Sequence, residues 1–455
     1  MPRARLVALG CVLIATTLPA QTPKRLALVG GMLLDGYDVP PLHHAAVVVE
    51  GDRIVWVGKS ADAKIPPDAT VIDTSGRVML PGLIDLHVHL KNIGHGDYDR
   101  WDPWIMERNL LEKVNAISAR QLLMAGVTTA VELGAQIPEI LNTRDRVARG
   151  EIPGPRLFVS GPWITRNLGN YQPKPVRQIK VDTPEDAAKA TADLIAKGVD
   201  VIKAYVGLTP AHYRAITDTA HKHGILVHAH VYSETDTRNA LENGVDVLTH
   251  AGSAGTAPPY SAALIRDIVN AGRPVVVTAA HRSWVFPATA AFPERLQDPQ
   301  LREDFGPEIY EEVQASFKEF QRLGYMGRID REVFFRERGL KQFIDSGAVI
   351  GMGTDSGTPL NFHTEALWRE IKAHVDLGMP PQRAISAATR INARILGKAD
   401  QLGSIEPGKF ADIIVVRGNP LFDIQALANV EIVMKGGVIH KGATAARATR
   451  PATAH

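Results

Sequence analysis

Two histidine pairs mark where this chain could do chemistry. Asp85-Leu86-His87-Val88-His89 and His228-Ala229-His230-Val231-Tyr232 each close an apolar run, and each sets two imidazoles two residues apart. In an extended strand that spacing puts both rings on one face, where they can share a metal ion. Three further runs end in groups of the same kind: Val201-Ile202-Lys203-Ala204-Tyr205, Leu248-Thr249-His250 and Gly353-Thr354-Asp355-Ser356-Gly357. A lone ammonium among apolar residues is costly, so Lys203 needs a partner or a modification. Each fragment alone fits a structural role. Taken together, the five ends offer imidazole and carboxylate ligands suited to zinc or a similar divalent ion.

Such groups must be brought together by a scaffold, and the sequence supplies one. Eight apolar runs end in glycine or polar residues: 83–89, 127–133, 157–161, 199–205, 225–232, 245–250, 274–281 and 348–354. Helical-period segments lie between them, including 184–197, 211–223, 234–243 and 260–270. This alternation predicts an α/β fold, a (β/α)8 TIM barrel over 81–404, whose active groups sit at the C-terminal strand ends. No glycine-rich phosphate motif follows the first strand, which argues against a doubly wound nucleotide fold. The interval 282–331 is long for a loop and holds an amphipathic stretch at 308–323, which predicts a helical flap. Strand-like texture at 21–80 and 405–445 predicts one composite β-sandwich domain built from both ends of the chain.

Composition excludes several classes. Hydrophobic residues make up 45% and charged residues 22% of the 455 residues, which suits a packed core rather than a disordered chain. The formal charge of +2 provides no field for a nucleic-acid partner. Arg3 and Arg5, the apolar stretch from Leu6 to Leu18, and Pro19-Ala20 form a secretory signal pattern over 1–20, too short for a permanent membrane anchor. The expected location is periplasmic or secreted, with no membrane contact once the signal is removed. A lipoprotein form would use Cys11, but the apolar run before it is short. Cleavage removes Arg3, Arg5 and Cys11, the single cysteine, leaving 49 cations against 49 acids. Any metal is then held by nitrogen and oxygen.

With these residues in view, the chain resembles the metal-dependent amidohydrolase superfamily over nearly its whole mature length. Two flanking segments add to the five strand ends: Val78-Met79-Leu80-Pro81-Gly82-Leu83-Ile84-Asp85-Leu86-His87-Val88-His89 and Ile405-Glu406-Pro407-Gly408-Lys409-Phe410-Ala411-Asp412. The resemblance implies two metal ions. His87, His89 and Asp355 would hold the buried one, and a strand-five histidine with His250 the exposed one. A carboxylated Lys203 would bridge them, which turns a costly buried cation into an anion. His228 and His230 compete for the strand-five position. Relatives use the first histidine of the pair, which selects His228. Their spacing of about twenty residues to the strand-six histidine instead fits His230. We take His228 as the ligand, with His230 in substrate contact or packing. Metal binding lowers the pKa of water to roughly 7, so a hydroxide nucleophile is available near neutrality. Asp355 would orient it and pass its proton to the leaving group.

The chain is most similar to the imidazolonepropionase-like and Xaa-Pro dipeptidase-like subgroup, which implies hydrolysis of an amide in a dipeptide or N-acyl amino acid. Where dipeptidase relatives carry Gly-Gly-His, this chain has Leu168-Gly169-Asn170, which argues against carrying over a Xaa-Pro preference. Trp101, Trp104, Trp163 and Trp284 fall just after predicted strand ends and suggest an aromatic rim. Arg166, Tyr232, His281 and Arg282 are candidates to bind a substrate carboxylate or carbonyl. A deaminase or cyclic-amide hydrolase, and a lactone or organophosphate hydrolase, are alternatives on the same scaffold. A binding module without catalysis would fit a chain missing ligands, and none is missing here. The expected partner is a small-molecule substrate, and a homo-oligomer is compatible with the sequence. Lys203 exposes this reading most directly. Lys203→Ala and Lys203→Arg should both abolish turnover and lower metal content, and acetate or formate should restore part of the activity to the alanine variant only. Metal analysis and rate assays check it.

Overall fold

A computed structural model describes residues 24–167, 178–252, 259–324 and 326–442. The signal pattern at 1–20 and the Leu168-Gly169-Asn170 segment lie outside the described residues. The chain opens with β1 (Arg25–Val29), β2 (Met32–Leu33), β3 (Ala45–Glu50), β4 (Arg53–Lys59), β5 (Thr70–Asp73) and β6 (Arg77–Pro81). The sequence then alternates strand and helix. Its strands are β7 (Leu83–Val88), β8 (Val127–Glu132), β9 (Arg156–Val159), β10 (Trp163–Thr165), β11 (Gln178–Lys180), β12 (Val201–Ala204), β13 (Leu226–His230), β14 (Val247–Thr249), β15 (Val275–Val276) and β16 (Ile350–Gly351). It ends with β17 (Ile413–Arg417), β18 (Val430–Lys435) and β19 (Val438–Lys441).

Four sheets result. One runs β4-β3-β1-β5, and a second runs β19-β18-β17-β6-β2, mixing strands from both ends of the chain. Alternation along β17 explains why its run is apolar throughout. Ile413 and Val415 pack with Leu26, Val47 and Met79 between these two sheets, while Ile414 and Val416 face the α/β part. The α/β part holds two parallel sheets, β7-β8-β9 and β11-β10-β12-β13-β14-β15-β16. Backbone bonds connect them on both sides. Leu86 N donates to Met352 O at 3.0 Å, beside β16, and Asp200 N to Val159 O at 2.9 Å, beside β9.

The same two-residue period sorts the parallel strands. Ile202, Val227, Leu248 and Val275 pack outward against helices, while Val201, Val247, Val276, Ile84 and Leu86 form a separate inner core. Lys203, His228, His230 and Thr249 share the inner face with Val201 and Val247; Lys203 and His228 stand one rung beyond Val201 and level with Val247, and His230 and Thr249 one rung further. The strand interior is therefore apolar at its base and polar at its mouth.

The segment after β15 is helical and packs into the rest of the chain. The π-helical turn His281–Val285 and helices Phe286–Ala291 and Pro299–Ser316 precede the long helix Ile329–Ser346. Gly306, at φ 71°, breaks the second of these helices in a conformation that favours glycine. Phe286, Phe305, Ile309 and Val313 share a core with Trp101 and Ile105, from helix Tyr98–Glu107 after β7. Two insertions thus bury each other. Phe305→Ala should cost about 3–5 kcal/mol of stability, because that shared core cannot close over the lost ring. Urea denaturation followed by tryptophan fluorescence checks it.

Candidate active site

Asp355 collects the site. Its Oδ1 lies 3.1 Å from His89 Nε2 and 3.6 Å from His87 Nε2, and its Oδ2 lies 3.5 Å from His281 Nδ1. One ligand atom from each of His87, His89 and Asp355 falls within 4.8 Å of the others. His250 and Asp355 both hold left-handed backbone conformations, at φ 64° and 57°. Non-glycine residues keep such conformations where surrounding structure over-determines them, and they concentrate at functional sites. Asp85 supplies part of that constraint. Its carboxylate accepts from His87 N, Thr354 N and Thr354 Oγ1, tying the end of β7 to the loop that carries Asp355.

Lys203 is 1% exposed, and its Nζ donates to Thr249 Oγ1 at 2.7 Å. Thr249 in turn donates to Ala229 O. Strand register pairs Lys203 with His228 and His230 with Thr249. The long lysine side chain therefore rises one rung and ends at the level of His230. There the His230 and His250 rings lie 4.5 Å apart, and His250 and His87 lie 4.6 Å apart. His230, His250, Lys203, His281 and Asp355 all line one cavity of ≈ 70 Å³. His228 does not line it. Its two ring nitrogens are buried without hydrogen-bond partners, one rung deeper. The geometry thus favours His230 over our choice of His228, and the twenty-residue spacing to His250 was the better sequence signal.

Burial sets the charge states. It lowers Lys203 to about 7 despite the opposing pull of Asp355 and Glu132. It carries His87, His230 and His250 well below the usual imidazole value, so all three are neutral and able to offer a lone pair. Burial alone would raise Asp355, but its contacts with His281 and His89 hold the carboxyl well below its usual range. Thr278 Oγ1 donates to Val277 O and accepts from His250 Nδ1 at 2.8 Å, which leaves His250 Nε2 free for a ligand. Both nitrogens of His87 and the Nδ1 of His89 are buried without hydrogen-bond partners. Neutral imidazoles with orphaned lone pairs beside a carboxylate are the donor set a divalent cation would satisfy.

The remaining candidates divide. Tyr232 and His281 line the cavity, as does Trp163, which stacks on Tyr205 at 4.3 Å and bonds Leu133 O through its Nε1. Arg282 lines it too and donates to Tyr232 Oη at 3.2 Å. Arg166 is exposed beyond β10, outside the residues that line the cavity. The expected aromatic rim is reduced to Trp163. Trp101 and Trp104 stack on each other within the second core, and Trp284 lies under Arg369 and Arg295. Sequence reasoning missed Glu132, which is fully buried at the end of β8 with Oε1 3.8 Å from His89 Nδ1. A carboxylate closing an otherwise uncharged strand, Val127-Thr-Thr-Ala-Val-Glu132, was the available signal. Tyr98 was also missed, and nothing local marks it.

The amidohydrolase family model matches residues 78–440. The chain belongs to the amidohydrolase family. An imidazolonepropionase of Streptomyces coelicolor is 24% identical, with 82% of this chain and 85% of that protein covered. An ochratoxinase of Aspergillus niger is also 24% identical, over 92% of this chain and 87% of that protein. The solved structure of a Xaa-Pro dipeptidase with methionine bound in its active site superposes with a TM-score of 0.73 at 24% identity. That superposition covers 92% of this chain and all of the other, and it shows the shared fold. This amidohydrolase is a hydrolase of carbon–nitrogen bonds with a metal-binding site, and among the described residues no helix is long and apolar enough to cross a membrane. Burial raises Asp85 to about 7, against an unfolded value of 3.8. In chelator-stripped protein the native state therefore holds the extra proton between these values. The contribution of Asp85 to stability should be full below about pH 4 and lost as pH rises through about 7. Asp85→Asn should flatten that slope, and denaturation midpoints across pH 4–8 check it.

Proposed function

We propose that this chain is an exported, binuclear metal-dependent amidohydrolase that cleaves the amide of a dipeptide or N-acyl amino acid carrying an apolar or aromatic group. The observation that carries the reading is the convergence of His87, His89, Lys203, His230, His250 and Asp355 on one buried region. We also read the two parallel sheets as one closed (β/α)8 barrel, supported by the backbone bonds at Leu86 and Asp200, and the two terminal sheets as one sandwich.

His87, His89 and Asp355 would hold one divalent ion, His230 and His250 a second, with Lys203 as a carbamate between them. Burial favours this modification, because it lowers the lysine to about 7 and so leaves a substantial share of the amine neutral and nucleophilic near that pH. Bound ions there would supply a Lewis acid and a water acidified to roughly pKa 7. Asp355, held ionised by its histidines, takes the proton of the attacking water and delivers it to the departing amine. His281, beside the other oxygen of Asp355, fixes the direction in which that carboxylate turns. Arg282 and Tyr232 present a cation and a hydroxyl at the cavity wall for a substrate carboxylate or carbonyl. Trp163 and Tyr205 form the adjoining aromatic wall. The dipeptidase among the solved structures supports a dipeptide substrate by its name, and the leader pattern supports export, with a mature N-terminus at Gln21.

The decisive experiment is a screen of dipeptides and N-acyl amino acids against metal-loaded protein, with metal content measured on the same samples. Turnover of aromatic or apolar N-acyl amino acids is expected, with His230→Ala losing both metal and activity and His228→Ala keeping its metal. No amide turnover in fully loaded protein, or retention of both metals by His230→Ala, would overturn the reading.

A further inference from the structure

We propose that Glu370 is a positioning residue that anchors residues 278–282, the segment after β15, and through it aligns the site. Glu370 lies within helix Ala366–Asp376, is fully buried and stands outside the residues that line the cavity. Its two carboxylate oxygens accept from successive backbone amides, Ala279 N at 2.9 Å and Ala280 N at 2.7 Å. Both amides stand at the start of the helical run that begins at His281, and Arg282 N and Ser283 N bond back to Ala279 O. Helix-start amides have no partner within their own helix, and a carboxylate there also meets the positive end of the helix dipole. Glu370 therefore caps this run from another helix.

The gripped segment carries three of the site's contacts in succession. Thr278 accepts from His250 Nδ1, His281 flanks Asp355, and Arg282 holds Tyr232. Thr278 also stands at φ 55°, a conformation that threonine keeps only under constraint. That constraint is visible on both sides. Arg336 Nη1 donates to Thr278 O at 3.1 Å, and Glu370 takes the next two amides. His374 Nδ1 lies 3.6 Å from Glu370 Oε1, and Arg336 and the Asp85 carboxylate also act on this carboxylate by charge. Releasing the carboxylate frees three contacts at once, and a misplacement of about 1 Å at a reacting centre can cost about a hundredfold in rate.

The inference rests on the amide-hydrolase reading only for its kinetic arm. The test uses full-length, metal-loaded Glu370→Gln, which loses one of the two acceptors. Backbone hydrogen exchange across residues 278–282 should quicken while metal content stays at the wild-type level. With the amide that wild-type protein turns over in the screen, kcat/KM should fall roughly tenfold to a hundredfold, with KM raised as well as kcat lowered. A purely structural role would instead reduce the active fraction and leave KM unchanged. Ala280→Pro gives a second route, since it deletes one donor at a residue whose φ of −61° already suits proline. It should show the same exchange and kinetic changes, and it decides the matter if Glu370→Gln does not fold. Wild-type exchange in a folded variant, or faster exchange with wild-type kcat and KM, would overturn the proposal. The exchange arm needs no substrate, so a failure of the amide reading would show separately in the wild-type screen.

Discussion

Everything in this structure answers to the burial of an ionised carboxylate among imidazoles and a lysine. Asp355, its side chain 14% exposed, keeps its charge because His89, His87 and His281 lie within 3.6 Å of it. The same burial that would penalise the carboxylate strips protons from His87, His230 and His250 and lowers Lys203 to about 7. What remains is a set of neutral donors around one anion. In an apolar interior such a set is stable only when its members satisfy one another, or when a cation satisfies them all. The arrangement is thus poor as a structural core and well suited to holding divalent ions.

The strands deliver this set because polarity changes along their inner face. Along each strand an apolar residue comes first and a polar one follows on the same face: Val201 before Lys203, Leu226 before His228 and His230, and Val247 before Thr249. Strand alternation decides which residues face inward, and the rung decides which of those can meet. His228 and His230 share a face but not a rung. Lys203 climbs from the rung of His228 to Thr249, beside His230, and the polar layer forms there.

Part of the wall of the site, His281 and Arg282, comes from an element outside the metal-binding pattern. The second core, where Phe305 meets Trp101, fixes the long insertion after β15 against the helix after β7. That insertion begins at His281 and Arg282, so its anchoring at Ala279 and Ala280 is continuous with the wall that faces substrate. Stability of the insertions and alignment of the site are in this way one mechanical problem.

The sequence by itself determined the alternating strand and helix order, the inward histidine pairs, the buried lysine and the carboxylate at the last strand end. These are legible because a strand's period of two and the cost of an isolated buried charge act locally. It also marked the helical insertion at 282–331, though not its partner. Only the tertiary structure decided that His230 meets His250, since register across neighbouring strands and the reach of Lys203 are not encoded in one strand's pattern. Only it placed Glu132 beside His89, withdrew Trp101, Trp104 and Trp284 into packing, and left Arg166 outside the cavity. A tryptophan looks the same in sequence whether it lines a pocket or fills a core. Which of the two it does depends on the surface that another part of the chain brings to it, and that surface exists only once the chain has folded.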